Sequence, residues 1–465
     1  MKFKYVLVLI FVLLMLACLQ TSVVRLGPSV SRPPVPADQV VIYTTADKVP
    51  GKYEEIALIH AKGEATWTDE EQMTLFLALP ARAPSEQVPR AYILKGATVH
   101  TAVGPPIQDA TVVIENGKIT AAGKTANIPP GSRVIDVSGK VVIPGLIDAH
   151  SHLGVYELGD ANEFPQPIGP ENRALDALHL ESPDWMEAVK GGVTTIVTGP
   201  GSGERISGQS ITIKTFGDDL KKRILKESGE VKMAVNARNL SHIPAIHSTF
   251  LKAREYMEEW EKYESGDRKG PPPKRDLGLE AMVRVLKGEE RVRCHIHFAN
   301  DIVAFLKLKD EFGFDLTFEH STEAYKVADE IAKRNVSCVC LPLVCRIGLP
   351  EDLMRGNAVL HKAGVKIAMH TDHPVVQEKW LRLCAAISMR YGLPEEEALK
   401  SITINPAEMA RISDRAGSIE KGKDADLVVL DGPWYELKTR VEMVFVDGVL
   451  AYDRDKEEEA LKEEK

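Results

Sequence analysis

The apolar run Val141-Val142-Ile143-Pro144-Gly145-Leu146-Ile147-Asp148-Ala149 ends in His150-Ser151-His152. On an extended strand alternate side chains share a face, so His150 and His152 point the same way, and two neutral nitrogens can meet one cation at about 2 Å. The plainer reading is a pair of hydrogen-bonded histidines in a loop. It is the weaker one, because an unpaired polar ring at the edge of an apolar run is costly. Three more β-type runs end in metal-competent groups: Cys294-His295-Ile296-His297, Phe318-Glu319-His320 and Met369-His370-Thr371-Asp372-His373. A divalent cation among imidazoles and a carboxylate activates water near neutral pH and polarises a carbonyl, which is hydrolytic chemistry.

Such ends must be brought together by their elements. Besides residues 141–147, β-type runs fall at 193–197, 210–214, 231–235, 293–297, 316–320, 336–341 and 366–369, alternating with helix-type segments. This spacing predicts parallel strands with crossover helices, enough to close a (β/α)8 TIM-like barrel with its site at the C-terminal strand ends. An open doubly wound sheet is the alternative, weakened by the absence of a Gly-rich dinucleotide fingerprint. The charged insertion 253–275, with Gly270-Pro271-Pro272-Pro273, reads as a solvated helix and loop. Residues 91–142 have the texture of short strands with tight turns, Asn116-Gly117 among them. The same texture returns in 427–430, 441–446 and 450–452 around Asp447-Gly448. Two all-β flanks most simply build one small β-sandwich from both ends.

The 465 residues, 44% hydrophobic and 27% charged, suffice for one large core with additions. A net charge of -9 and no basic patch interleaved with aromatics argue against a nucleic-acid partner. Lys2 and Lys4 precede an apolar run to Ala17-Cys18, the pattern of an export signal. Met15-Leu16-Ala17-Cys18 is similar to a bacterial lipobox, which would make Cys18 a lipidated first residue in the cell envelope. A plainly cleaved signal or an uncleaved anchor are the other readings, the anchor last because the run is short for a span. Of the remaining cysteines, Cys294, Cys338, Cys340, Cys345 and Cys384, the odd number excludes a complete disulfide framework, and Cys338 and Cys340 read as small buried hydrophobes. The chain then divides into a signal (1–18), a linker and small β-rich module (19–90), an N-terminal sandwich segment (91–142), the barrel (143–412), a C-terminal sandwich segment (413–454) and a charged tail (455–465).

The run Gly145 to His152, with Thr403-Ile404-Asn405-Pro406-Ala407 and Gly417-Ser418-Ile419-Glu420-Lys421-Gly422-Lys423-Asp424-Ala425-Asp426-Leu427, resembles the metal-dependent amidohydrolase superfamily, in particular its imidazolonepropionase-related branch. The resemblance covers the chain from about Ala91 onward. It implies His150 and His152 as first-strand ligands, His320 as the sixth-strand histidine and Asp372 as the eighth-strand aspartate. On the fifth strand it favours His295, with His297 on the same side as a substrate contact or alternative ligand. His370 and His373 flank the aspartate as pocket-lining or structural groups. The implied cofactor is Zn2+ or a related divalent metal, and the implied reaction hydrolyses a C–N bond of an amide or cyclic amide. A metal-activated water would attack, with Asp372 as general base and His320 donating to the developing oxyanion.

One ion is expected rather than two. Lys232 stands where binuclear relatives carry a carboxylated bridging lysine, with Lys214 a weaker candidate, but a surface or packing role for Lys232 fits its surroundings better. Loops 154–171 and 199–209 are expected to set specificity, with Arg205 and Glu204 as candidate clamps for a carboxylate or amine. The partner is a small-molecule substrate, and family relatives form homo-oligomers. Two other functions compete: a prolidase-like dipeptidase with a binuclear centre, and a catalytically silent surface binding protein.

Overall fold

The structure, a computed structural model, describes residues 20–24, 41–43, 53–62, 73–80, 91–155, 167–236, 240–342 and 351–463. The export signal, Cys18, Cys345 and residues 156–166 of the first specificity loop lie outside the described residues. Among the described residues no helix is long and apolar enough to cross a membrane.

Two compact units divide at residue 88. In the first, strands Gln20–Val24, Tyr53–Lys62, Met73–Pro80 and Val41–Tyr43 form, in that order, one antiparallel sheet.

The second unit holds two eight-stranded sheets. One is the barrel: β1 (Leu146–Ser151), β2 (Val193–Thr198), β3 (Ile206–Lys214), β4 (Ile224–Val235), β5 (Arg291–Ile296), β6 (Leu316–His320), β7 (Ser337–Cys340) and β8 (Ile367–Met369), neighbours in chain order. Main-chain bonds from Asp372 N to His150 O (3.1 Å) and from His152 N to His373 O (3.2 Å) join the loop after β8 to the end of β1. Apolar side chains such as Ile196, Met233, Phe305 and Phe318 fill the main core with no exposure, which is what holds the strand ends in fixed relation.

The expectation of uniformly parallel strands fails at β3, which runs antiparallel to both β2 and β4. Only residues 199–205 join β2 to β3, too few for a crossover helix, so the chain must turn straight back. Lys214, at the end of β3, therefore faces the end of the barrel away from the other strands' C-termini, opposite Thr195 near the start of β2.

The first apolar run is also two strands. Val141–Pro144 pairs with Leu427–Leu430 in the flanking sheet, and the chain enters the barrel at Gly145. Only a residue without Cβ fits there, since a Cβ would lie 2.2 Å from Thr194 Oγ1. The two flanks do combine, but into one continuous sheet rather than two facing ones. It runs Val449–Asp453, Val441–Val446, Leu427–Leu430, Val141–Pro144, Ala91–Val99, Ile107–Glu115 and Lys118–Gly123, with Arg133–Asp136 paired to Ala91–Val99. Residues from both flanks share its core, Tyr92 meeting Phe445 edge-on at 5.2 Å. The Asn116-Gly117 hairpin forms, with both residues at positive φ as its turn requires. The charged tail is largely a helix, Arg454–Glu463, held by Arg454 to Glu442 (2.5 Å) and Lys190 to Glu457 (2.5 Å).

Candidate metal centre

His150 lies in the last residues of β1 and His152 just past it; His295 lies in β5 and His297 just past it; His320 ends β6, and Asp372 follows β8. All reach the same end of the barrel, in two groups of three whose ligand atoms lie within 4.8 Å of one another: His150, His152 and Asp372, and His295, His297 and His320. Asp372 Oδ1 stands 3.0 Å from His150 Nε2 and 3.3 Å from His152 Nε2. His297 Nε2 is 3.1 Å from His295 Nε2, and the His295 and His320 ring centres are 4.3 Å apart. The His150 and His320 rings, 5.5 Å apart, make the groups neighbours. The five groups expected around a single ion thus divide, with His320 turned toward the fifth-strand pair. His320, Ser321 and Asp372 all have positive φ, a strained backbone for residues with side chains and one that concentrates at functional sites.

A buried ion cluster beneath the rings aims them. Glu319, fully buried, is paired with Lys232 and Arg293 and lies 3.1 Å from His150 Nδ1. That contact leaves His150 Nε2 to face Asp372, and His152 is fixed likewise by Nδ1 to Gly199 O at 2.8 Å. Burial alone would raise the Glu319 carboxyl, but Arg293, His150 and Lys232 outweigh it and hold it well below the carboxylate range. His295 and His320 are lowered as well, with the opposite effect on charge. Burial, reinforced by Lys232 for His295 and by His295 for His320, drives both well below the ordinary imidazole value and keeps them neutral. Neutral imidazole is the form that donates a lone pair to a metal.

Asp148 provides a second brace. Its carboxylate accepts from His150 N (2.9 Å), Thr371 N (2.9 Å) and Thr371 Oγ1 (2.6 Å), tying the end of β1 to the loop carrying Asp372. Glu378, hydrogen-bonded to Ser151, is driven well above the carboxylate range by burial and by Asp148. Sequence reasoning missed Glu319, Arg293, Asp148 and Glu378 as site-builders. The available signal was strand alternation: Arg293 shares a face with His295, and Asp148 with His150, and an inward charge requires a partner.

Other expected residues go elsewhere. Lys232 is not on the surface but 1% exposed in its pair with Glu319. Lys214 is bound to Asp424, Asp426 and Asp447 at the far end. Arg205 does not reach the cavity in front of the histidines; its Nη2 donates to Ser241 Oγ at 2.8 Å, stapling two loops. Glu204 is buried and likewise does not line it. His370 is fully buried between His150 and His320, 5.1 and 4.8 Å away by ring centres, and neither of its nitrogens has a hydrogen-bond partner among the described residues. Burial draws its pKa down to about 3. His373 lies 3.4 Å from Asp184. Cys294, Cys338, Cys340 and Cys384 are buried and unbonded to one another.

The donors fit a divalent transition metal. They are imidazole nitrogens and a carboxylate converging from β1, β5, β6 and the β8 loop, and the buried His320 Nε2 and His295 Nδ1 have no hydrogen-bond partner among the described residues. A cavity of about 930 Å³ opens in front of His295, His297, His320 and Asp372, as a small-molecule site requires.

The Amidohydrolase family matches residues 141–451. Amidohydrolase tasK of Hapsidospora irregularis is 27% identical over 394 residues, 74% of this chain, and this chain spans 40% of its length. The imidazolonepropionase of Thermoplasma volcanium is 24% identical over 414 residues, 76% of this chain and 92% of that protein. An amidohydrolase of known structure from Thermotoga maritima superposes with a TM-score of 0.73 at 34% identity, covering 78% of this chain and all of its own.

Proposed function

The chain belongs to the amidohydrolase family, on its imidazolonepropionase-related side, and is a hydrolase of C–N bonds outside ordinary peptides; from that premise we propose that it cleaves a small amide or cyclic amide with one zinc ion and Asp372 as general base. The observation that carries this reading is Asp372 Oδ1 lying within 3.3 Å of both first-strand imidazoles beside a buried set of neutral histidines. His150, His152 and Asp372 would hold the ion, with His295 completing the set. When bound, the cation lowers the pKa of a water and polarises the substrate carbonyl.

The residues of the chain do the rest. Asp372 accepts the proton of the attacking water as its oxygen adds to the carbonyl carbon, then gives that proton to the nitrogen as the C–N bond breaks. His320, neutral and with Nε2 unpaired, presents an N–H to the oxyanion in the tautomer that protonates that nitrogen. His297, anchored by Nδ1 to Thr322 Oγ1 at 2.7 Å, borders the cavity as a substrate contact. The test is metal-quantified protein screened against cyclic amides, N-acyl amino acids and dipeptides, with Asp372→Asn as the blank. Absence of turnover in the metal-loaded protein across all three classes rejects the reading.

One observation favours a second reading, a two-ion centre of dipeptidase type: His295, His297 and His320 form a donor group of their own. Metal analysis separates the two, one equivalent against two. Export through residues 1–18, with Cys18 lipidated, belongs to the proposal and rests on the sequence. Palmitate label that is lost in Cys18→Ala is the expected result, and label that persists removes it.

A further inference from the structure

The cavity in front of the metal centre has two unlike sides. His295, His297, His320 and Asp372 form one. The rest of the lining includes Leu353, Asn357 and Leu360 of helix Glu351–Lys362, spaced to share one face, and Gly356 closes on the ring of Tyr325, where a Cβ would touch it at 3.4 Å. Leu341 and Met354 extend this apolar wall.

Charge is as telling as shape. Apart from histidine, the charged residues lining the cavity are Asp372 and Glu323, both acidic, and no lysine or arginine is among the described lining residues. Glu323 is already engaged, by Lys326 Nζ at 2.6 Å and Ala299 N at 3.1 Å. Arg205, the one cation that sequence placed near the substrate, is turned to Ser241. A substrate carboxylate lying against this wall would lose water and meet hydrocarbon, an unfavourable exchange where no described lining residue offers a lysine or arginine.

We propose that the substrate presents an uncharged apolar group, aromatic or branched aliphatic, to the wall of Tyr325, Leu341, Leu353 and Leu360, and carries no carboxylate there. This rests on the hydrolase reading and narrows it: among amides and cyclic amides it selects neutral apolar ones over imidazolonepropionate-like or dipeptide-like acids. The wall acts as the specificity element, and the metal-side residues act on the C–N bond whatever is attached.

The test uses the full metal-loaded chain and two substrate pairs that differ in a carboxylate: N-acetyl-2-phenylethylamine against N-acetyl-L-phenylalanine, and 5-benzylhydantoin against 5-(4-carboxybenzyl)hydantoin. The neutral member of each pair should have kcat/KM at least about 10-fold higher, the usual discrimination of an apolar pocket. Leu353→Arg, which brings a cation to the wall, should reduce that ratio by about 10-fold or more. Acids turned over equally well or better overturn the inference and leave the hydrolase reading standing. If neither pair reacts, that bears on the hydrolase reading, and calorimetric titration with the same compounds decides the inference separately: tighter binding of the neutral members supports it, and equal or tighter binding of the acids, or no binding of either, overturns it.

Discussion

The two ends of the barrel bury the same kinds of group and treat them in opposite ways. At the end where β3 finishes, Lys214 Nζ lies 2.8 Å from Asp424, 2.9 Å from Asp426 and 2.5 Å from Asp447, while Arg415 and Lys118 complete Asp424 at 2.9 and 2.5 Å. Burial opposes its charge, but the three carboxylates hold the ammonium above the usual lysine range. At the other end, Glu319 is saturated by Lys232, Arg293 and His150, yet His295 Nδ1 and His320 Nε2 above it have no hydrogen-bond partner among the described residues. A buried charge with a complete set of partners fastens elements together, here the flanking sheet to the barrel floor. Buried donors left incomplete cost stability and are retained for a ligand.

The contrast is broken most sharply by exchanging one atom at the open end. Asp372→Asn should reduce kcat by at least about 1000-fold, since on the proposed mechanism it removes the proton acceptor. Its melting temperature should stay close to that of the parent. Steady-state kinetics and a thermal melt on the same sample check this, and a large fall in stability with little loss of activity would make Asp372 a fastener as well.

Lys214→Ala should do the reverse. Asp426, fully buried, would lose its cation, and breaking such a pair by removing one partner costs about 3–5 kcal/mol. Denaturant unfolding should show that loss, with kcat per folded molecule little changed. A variant as stable as the parent would mean the floor cluster does not join the two sheets.

Lys232 tests whether the cluster beneath the rings serves the site or only the fold. Lys232→Met removes one of the cations on Glu319 and should weaken binding of the divalent metal by about 10- to 100-fold, the usual effect of disturbing groups behind metal ligands. Metal stoichiometry should not change. Loss of one of two equivalents would instead make Lys232 a bridging ligand.

These experiments bear on what was legible in the sequence. The strand-end histidines and Asp372 could be picked out because each donor followed an apolar β-type run, and the structure brings those ends together. The partners of Lys232 and Lys214 could not, because Glu319 is 87 residues from Lys232 and Asp426 is 212 from Lys214. Strand direction is equally absent from composition, and β3 passed as parallel because the run was read as 210–214, leaving 198–209 before it where the structure leaves only 199–205. Arg205 was chosen for its charge in a loop, yet side-chain direction there depends on Ser241, on a different loop. Single-element periodicity reports which residues face inward, and tertiary partners decide which inward residues stay unsatisfied.

The smallest predicted effect concerns that last quantity, the cost of keeping imidazoles buried and neutral. His295, His320 and His370 all titrate below the ordinary imidazole value of 6.5 in the folded chain, His370 down to about 3, chiefly because burial disfavours the cation. Between 6.5 and its own folded value, each takes up a proton in the unfolded chain that it refuses in the folded one. Stability is therefore full above pH 6.5 and falls below it, by up to about 1.4 kcal/mol per pH unit for each such residue. His150 works in the opposite sense: burial would lower its pKa, but Glu319 raises it, so its contribution is present below 6.5 and lost as pH rises through the folded value. The net expectation for chelator-treated protein is a fall in unfolding free energy from pH 6.5 to pH 5, and His370→Phe should flatten the slope by up to about 1.4 kcal/mol per unit. A profile for His370→Phe parallel to that of the parent would mean His370 gains a proton or a partner in the folded chain, and the contrast between the two ends would then narrow to the remaining histidines.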